Sequence, residues 1–253
     1  MRGQVQLEPA WLLHPRPFRD SSLLLEVFSR DHGRVGLVAR GARRARARER
    51  ALLQAFTPLR LSWRGTGELA TLTGAEPDGP AVALAGTRLL AGYYLNELLL
   101  RLLARGDEHA ALFDGYGRTL RDLANAAHLA VPLRHFECGL LEALGYGLNL
   151  EHDIVDGQSL DPAARYEYLL EQGPRRLAGE APAGALCLSG DTLIDIRERR
   201  FEAPETRAAA RRLFTAALDL YLGGRPLKSR QVLEATLRLG RGTAASAQHG
   251  KEC

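Results

Sequence analysis

The chain has 253 residues, a formal net charge of +4 at pH 7 and a hydrophobic fraction of 45%. This composition suits one large or two small globular domains with a sizeable core. The three cysteines, Cys138, Cys187 and Cys253, form no CxxC pair, which argues against a cysteine zinc site and a disulfide framework. No signal peptide and no apolar run of about 18 residues is recognised, so we expect a cytoplasmic protein without a membrane span.

The positive charge is concentrated in the first third of the chain. Residues 1–80 contain 13 Arg and Lys against 8 Asp and Glu, whereas the remaining residues carry a balance of −1. A local excess of this kind raises the affinity for polyanions and the rate of encounter with them. The alternative interpretation is an ordinary solvated basic surface.

Short strands separated by glycine turns are predicted for residues 1–80. The turn at Gly33 and the turn at 64–68 separate apolar or alternating runs that are typical of strands. About five such strands in this length predict a small barrel, which also removes exposed sheet edges. The predicted strand runs are 10–14, 23–29, 35–39, 59–64 and 69–74.

Helical periodicity replaces the strand pattern after the prolines at 77 and 80, and it predicts a mainly α-helical domain over 81–240. Residues 148–203 have mixed character and predict a loop-rich insert with a possible hairpin. Residues 241–253 are rich in Gly, Ala and Ser and predict a disordered tail. The fold class is therefore α+β. The predicted helices lie near residues 89–101, 113–129, 132–145, 204–222 and 229–239.

An arginine-rich segment at residues 40–50 follows the third predicted strand and is expected to begin as a loop at the barrel rim. It contains six arginines and one glutamate. Arginines at this density repel one another unless a polyanion or solvent compensates them, and each neutralised phosphate adds to the salt dependence of binding. The alternative is a flexible solvated loop.

Aromatic side chains in the barrel region are candidates for stacking with nucleobases. Phe28 and Trp11 lie in apolar runs and are predicted to be core, whereas Phe18, Phe56 and Trp63 remain open. The aromatic fraction is only 6%, so phosphate contacts are expected to dominate and sequence preference to be weak.

Two further segments suit binding. The stretch 223–230 carries Lys228 and Arg230, which could contact DNA or a partner protein. The alternative is that the stretch only begins a helix, with Ser229 as its N-cap. In the helix predicted at 132–145, Arg134 lies on the same side as Cys138 and Leu141. A cation beside an apolar groove suits an acidic-aromatic peptide tail, and the alternative is an arginine that only covers packed leucines.

Enzymatic interpretations find little support in the sequence. GKS/T and GxSxG do not occur, and the seven histidines lack ligand spacing. Asp153, Asp156 and Asp161 lie near one another in a predicted loop. Acidic residues in loops are usually solvated rather than bound to a metal ion. We therefore predict no catalytic residue, no cofactor and no metal.

The chain resembles the RecO family of DNA repair proteins. The resemblance is carried, in order, by segments 22–28, 33–43 and 53–59, by 94–99, 134–137 and 144–148, and by 221–230. It implies an N-terminal OB-fold followed by a helical domain. It also implies binding of single- and double-stranded DNA and annealing of complementary strands. The implied partners are RecR and the acidic C-terminal tail of single-stranded DNA-binding protein. With RecR, the protein is implied to help load RecA onto DNA.

The resemblance also assigns residues. The family's basic barrel loop matches residues 40–50, and its tail-binding helix matches 132–145, which favours Arg134, Cys138 and Leu141 as the tail-binding residues. Many members carry a four-cysteine zinc module that this chain lacks at 150–157, so we expect the insert to be held together without zinc. The predicted DNA-binding residues are Arg34, Arg40, Arg43, Arg44, Arg46, Arg48, Lys228 and Arg230.

Two hypotheses follow from the sequence. The leading one is a non-enzymatic annealing and recombination-mediator protein, since annealing requires only that phosphate repulsion be neutralised while the bases stay accessible. The other is a scaffold or regulatory protein whose barrel contacts protein. A titration of labelled single-stranded DNA at two salt concentrations separates them, because only phosphate binding weakens strongly with salt.

Overall fold

The computed structural model describes residues 3–44, 52–65, 67–233 and 235–236. The chain forms two compact units. The first comprises the described residues up to Asn125 together with the described residues from Pro226 onward, and the second comprises Ala126–Arg225. The sequence places a domain boundary near residue 81, whereas the compact units place residues 81–125 with the barrel.

Five strands form a closed barrel in the first unit, in the order β1-β2-β3-β5-β4, with β4 returning to β1. All neighbouring strands are antiparallel except β3 and β5, which pair in parallel. This confirms the predicted OB-fold. The strands are β1 (Gln4–Phe18), β2 (Ser22–Ser29), β3 (Gly33–Ala39), β4 (Pro58–Arg64) and β5 (Ala70–Pro77).

Alternation along the strands fills the barrel interior. Leu25 and Val27 of β2 face inward, as do Leu59 and Leu61 of β4, and all four are at most 1% exposed. Side chains that alternate with period two lie on opposite faces of a strand, so the intervening residues face outward. The barrel interior is therefore one apolar core.

The turn between β2 and β3 depends on Gly33. Its φ is +59°, a region that glycine occupies without strain. A Cβ at this position would also overlap the backbone carbonyl of Asp107. The turn predicted at Gly33 is thus confirmed, and glycine is required both for its φ and for the close approach of a second backbone segment.

Two helices follow the barrel within the first unit, α1 (Thr87–Leu102) and α2 (Ala110–Asn125). They cover the outward face of β1 and β2. Phe28 makes edge-to-face contact with Phe113 and Tyr116, at centroid distances of 5.5 and 6.4 Å. Asn96 of α1 donates to the carbonyl of Leu13 at 2.8 Å and accepts from the Tyr116 hydroxyl at 2.5 Å. The outer face of these strands is consequently a second core.

The second unit contains three helices, α3 (Ala130–Ala143), α4 (Gly190–Arg197) and α5 (Pro204–Tyr221), with α5 packing against both α3 and α4. Gly145 ends α3 with φ +77°, and the Tyr146 amide donates to the carbonyl of Leu141 at 2.8 Å. This left-handed cap ends the helix within two residues of the end that the sequence predicts. A three-stranded sheet in the order β7-β6-β8 completes the unit. Its strands are β6 (Arg165–Leu169), β7 (Gly173–Arg176) and β8 (Cys187–Ser189).

Several predicted boundaries are wrong. The second helix ends at Asn125 rather than 129, and α3 begins two residues before Pro132. The insert predicted to be rich in loops contains the helix α4, whose N-cap Ser189 accepts a hydrogen bond from the Thr192 amide. The predicted tail, 241–253, lies outside the described residues.

Candidate nucleic-acid interface

The segment after β3 is anchored to the barrel by one apolar residue. Ala42 is 8% exposed and packs into the barrel core, while its neighbours Arg40, Arg43 and Arg44 are exposed. Gly41 has φ +70°, and the Arg44 amide donates to its carbonyl at 2.9 Å. The resulting tight turn keeps the three arginines on the solvent side of the loop.

Arg43 joins this loop to the turn between β1 and β2. Its guanidinium donates to the carbonyls of Arg19 and Asp20, at 3.3 and 3.1 Å, and its amide donates to the carbonyl of Ser21 at 3.0 Å. These acceptors are neutral carbonyls, so Arg43 holds the two loops together without a carboxylate beside its guanidinium.

The strand register brings two further arginines to the same end of the barrel. Arg16 pairs with Leu24, which in turn pairs with Val38 near the end of β3, and Arg19 follows in the adjoining turn. Both arginines are exposed, and the Arg19 guanidinium lies 5.2 Å from the centroid of the Phe18 ring. We call this set the arginine rim. It consists of Arg16, Arg19, Arg40, Arg43 and Arg44.

No member of the arginine rim forms an ion pair with a carboxylate of the described part of the chain. Arg60 of β4 is different, because its Nε lies 3.1 Å from Asp78. Unpaired guanidinium groups clustered at one surface create a positive potential that attracts phosphate chains. Arg46 and Arg48, which the sequence also predicts as DNA contacts, lie outside the described residues.

Arg34 does not belong to the arginine rim, because its side chain is largely buried and pairs with a carboxylate. Its side chain is only 17% exposed, donates to the Leu103 carbonyl at 3.1 Å and pairs with Glu26 at 3.4 Å. Arg105 binds the other oxygen of Glu26. Burial lowers the pKa of Arg34, and the nearby charge of Arg105 adds to this effect although Glu26 opposes it. The structure thus places Arg34 in an internal ion cluster rather than on the exposed surface.

The segment 226–230 belongs to the first unit and contacts Glu97 of α1. The Ser229 hydroxyl and amide both donate to Glu97, at 2.5 and 2.8 Å, as does the Lys228 amide at 3.1 Å. Burial raises the pKa of Glu97, but the bonds from Ser229 and Lys228 and the charge of Arg101 outweigh it, so the pKa lies below its usual value. Ser229 is therefore not the N-cap, because helical residues begin at 228 and the Glu97 carboxylate accepts their free amides. The Lys228 side chain is exposed, whereas Arg230 lies 5.9 Å from the Tyr94 ring.

The aromatic candidates of the barrel are almost all buried. Trp11, Phe28, Phe56 and Trp63 are at most 4% exposed, which confirms the prediction that Phe28 and Trp11 belong to the core. Phe18 is half-buried beneath Arg19. None of these five rings is a fully exposed stacking platform.

A cavity of about 220 Å³ in the second unit brings together two of the residues predicted to bind a peptide tail. Cys138 and Leu141 of α3 line it with Leu148, Leu150 and Ile196. Burial raises the pKa of the Cys138 thiol to about 12, with the charge of Glu142 adding to it, so the thiol stays protonated and acts as a small apolar wall. Arg197 also lines the cavity and supplies a cation there, and Glu142 and Glu151 are the remaining lining residues.

Arg134, the third predicted tail-binding residue, does not line this cavity. It is 6% exposed, and its Nη2 donates to Glu137 at 2.6 Å within α3. Its Nε and Nη1 find no hydrogen-bond partner in the described chain. The helical spacing that placed Arg134 beside Cys138 is real, but the guanidinium is buried with a carboxylate one turn away.

The acidic residues considered as metal ligands stabilise turns. Asp153 accepts hydrogen bonds from the amides of Val155 and Arg176, and Asp156 accepts one from Gln158. Within the ranges that the structure describes, no three His, Cys, Asp or Glu side chains are grouped so that they could hold a metal ion. None of the helices in those ranges combines the length and apolar character needed to cross a bilayer.

Sequence reasoning missed Arg16, Arg19 and Arg197. The first two are isolated in sequence, and only the barrel register places them beside residues 40–44. The position of Arg16 after the apolar run 10–13 was a usable signal, because a charged residue there indicates that the buried part of the strand has ended. Arg197 carried no such signal, because the helix that bears it was not predicted.

Comparison with known proteins agrees with this architecture. Residues 1–80 match the family model described as "Recombination protein O N terminal", and residues 84–231 match "Recombination protein O C terminal". DNA repair protein RecO of Alkalilimnicola ehrlichii is 51% identical over 239 residues, which are 94% of each chain. DNA repair protein RecO of Azoarcus sp. is 44% identical over 241 residues, covering 94% of this chain and 99% of the relative.

A closed barrel with an arginine rim that has no carboxylate partner in the described part of the chain, followed by a helical continuation, defines a protein of the OB-fold class. Both parts of the chain match the same family in order and over nearly their full length. The chain belongs to the RecO family of DNA repair proteins.

Proposed function

We propose that the chain binds single- and double-stranded DNA at the arginine rim, anneals complementary strands without ATP, and helps load recombinase onto strands coated by single-stranded DNA-binding protein. The observation that carries this proposal is the set of five exposed arginines at one end of the barrel, none paired with a described carboxylate. Such groups neutralise phosphates without reading sequence.

Annealing follows from this arrangement by electrostatics. Two DNA strands repel each other through their phosphates, and guanidinium groups that bind both strands reduce the repulsion. The buried barrel aromatics leave most bases free to pair. No covalent step and no cofactor is required, because duplex formation is itself favourable once the strands meet.

The test is an annealing assay on the full chain without nucleotide, run at about 50 and 200 mM salt. If four phosphates are contacted, the affinity for single strands should fall roughly 50-fold over this range. A polyanion that carries no bases should compete for the site. Binding that is insensitive to salt would favour the scaffold interpretation instead.

We further propose that the cavity beside Cys138 and Leu141 receives the acidic C-terminal tail of single-stranded DNA-binding protein. Five apolar residues form most of its walls, Glu142 and Glu151 also line it, and Arg197, which pairs with Glu198 at 2.8 Å, supplies positive charge. Arg199 also lies on this unit and pairs with Glu142, which lines the cavity. RecR is the second partner that the family membership suggests.

Changing Arg197 to alanine should weaken binding of a labelled peptide with the tail sequence by about 1.5 kcal/mol, roughly tenfold in Kd, because a charge-assisted hydrogen bond is lost. Fluorescence anisotropy measures this. The matched control is Arg176→Ala, an exposed arginine of the same unit that pairs with Asp161 and does not line the cavity. Equal effects of both changes would mean that the peptide responds to overall charge and does not occupy this cavity.

A further inference from the structure

A groove of about 710 Å³ lies in the first unit and has no role in the function proposed so far. Residues 53–57, which precede β4, form one wall, and residues 81–84 with Leu89 and Tyr93 of α1 form another. His14 of β1 and Gln54 are polar members of the lining, and both are exposed. The groove therefore combines an apolar floor with hydrogen-bonding groups at its edge, as small-molecule sites generally do.

Tyr93 presents an aromatic ring to this groove. It is 43% exposed, the only aromatic side chain of the described first unit with such exposure. Its ring lies 5.3 Å from that of Phe56 at an interplanar angle of 60°, so one side is held by a buried ring. A Cβ on Gly92 would lie within 2.9 Å of Phe56 and Leu84, which shows how closely α1 packs at this point. The ring is consequently positioned rather than free.

Phe56, which supports the Tyr93 ring, has an unusual backbone conformation. Its φ is +65°, in the left-handed region that bulky residues avoid, and this costs on the order of 1–2 kcal/mol. The Phe56 carbonyl accepts the Val82 amide at 2.9 Å, which ties the two walls of the groove together. Backbone strain of this kind is concentrated at binding and active sites.

The groove and a depression beside the arginine rim share one lining residue, Leu53. A second depression of about 530 Å³ is lined by Arg40, Arg44, Leu52, Leu53 and Thr73. Leu53 lines both depressions, so a chain that passes over it meets guanidinium groups on one side and the Tyr93 ring on the other. This order matches single-stranded nucleic acid, in which phosphates and unpaired bases alternate along one chain.

We propose that the Tyr93 groove receives an unpaired nucleobase of single-stranded DNA, stacked on the Tyr93 ring, while neighbouring phosphates bind Arg40 and Arg44. The exposed side chains His14 and Gln54 offer hydrogen bonds to the edge of the base. A base inside a duplex is already stacked on both faces, so the groove favours single strands over duplexes. The inference rests on DNA binding by the arginine rim and adds the base-binding part of that site.

The test compares Tyr93→Ala and Tyr93→Phe in the full chain, using a labelled single strand and an abasic strand with the same number of phosphates. Tyr93→Ala should weaken binding of the normal strand by roughly fivefold to thirtyfold, while Tyr93→Phe retains it, because both rings stack. Neither change should affect the abasic strand. The log-log salt slope should remain that of the unaltered chain, since no phosphate contact is lost.

Tyr146→Ala is the matched control, because Tyr146 is 42% exposed but belongs to the second unit. It should bind both strands like the unaltered chain. The base-binding proposal would be overturned if Tyr93→Ala bound the normal strand as tightly as the unaltered chain, or if it lost equal affinity for both strands. Either result would leave the proposal of DNA binding by the arginine rim unchanged. If the unaltered chain itself showed no salt-dependent binding, both this proposal and the proposed function would fail.

Discussion

Changing Arg40, Arg43 and Arg44 together to alanine is expected to weaken binding of single-stranded DNA by about 2 kcal/mol, roughly 30-fold in Kd, at low salt. The reason is that three exposed guanidinium groups without carboxylate partners are removed from one surface. The log-log salt slope should become less negative by about 2, since each phosphate contact on a single strand contributes about 0.7. Titrations of labelled DNA over a series of salt concentrations give both quantities.

The single changes should differ in a way that follows from the loop geometry. Arg43 donates to the carbonyls of Arg19 and Asp20, so Arg43→Ala also releases the loop from the β1–β2 turn. We expect Arg43→Ala to weaken DNA binding more than Arg40→Ala does, and to slow annealing as well.

Arg60→Ala serves as the control for the triple change. Arg60 is an exposed barrel arginine that pairs with Asp78, and it lies outside the arginine rim. It should leave both the affinity and the salt slope unchanged. A triple variant that kept its full salt slope would show that the described part of the rim does not hold the DNA backbone.

The barrel was predictable from the sequence because its signals are local. Alternating apolar residues in β4 and the glycine turn before β3 each lie within a few neighbouring residues, and they fix strand direction and register. The exact strand ends were harder to predict, because β1 extends over 15 residues with two irregularities in its pairing. Such irregularities depend on partner strands that are distant in sequence.

The candidate site was only partly predictable, because composition does not distinguish a free arginine from an internally paired one. Arg34 and Arg40 look alike in the sequence, yet Arg34 binds Glu26 and the carbonyl of Leu103, which follows α1. Conversely, Arg16 belongs to the rim only through strand pairing. Where tertiary contacts set the environment of a charged side chain, the local sequence does not show whether that side chain is paired or exposed.

The same reasoning applies to Arg134, for which the structure makes a strong prediction. Arg134 and Glu137 form an ion pair within α3, at most 6% exposed, and removing one partner leaves a charge in the protein interior. Glu137→Ala is therefore expected to destabilise the protein by about 3–5 kcal/mol. Urea unfolding followed by circular dichroism measures the loss. The exposed pair Arg199–Glu142 provides the control, because Arg199→Ala should cost at most about 1 kcal/mol.

A double variant, Arg134→Met with Glu137→Leu, separates the charge of this pair from its packing. Apolar residues of similar volume remove both charges of the pair at once, so the double variant should lose less stability than Glu137→Ala. It should also bind the acidic tail peptide with unchanged affinity, because Arg134 does not line the cavity that holds Cys138 and Leu141. If the peptide were lost while the fold remained stable, the guanidinium of Arg134 would have to leave Glu137 on binding, and the tail would be recognised by a rearranged α3 rather than by the preformed cavity.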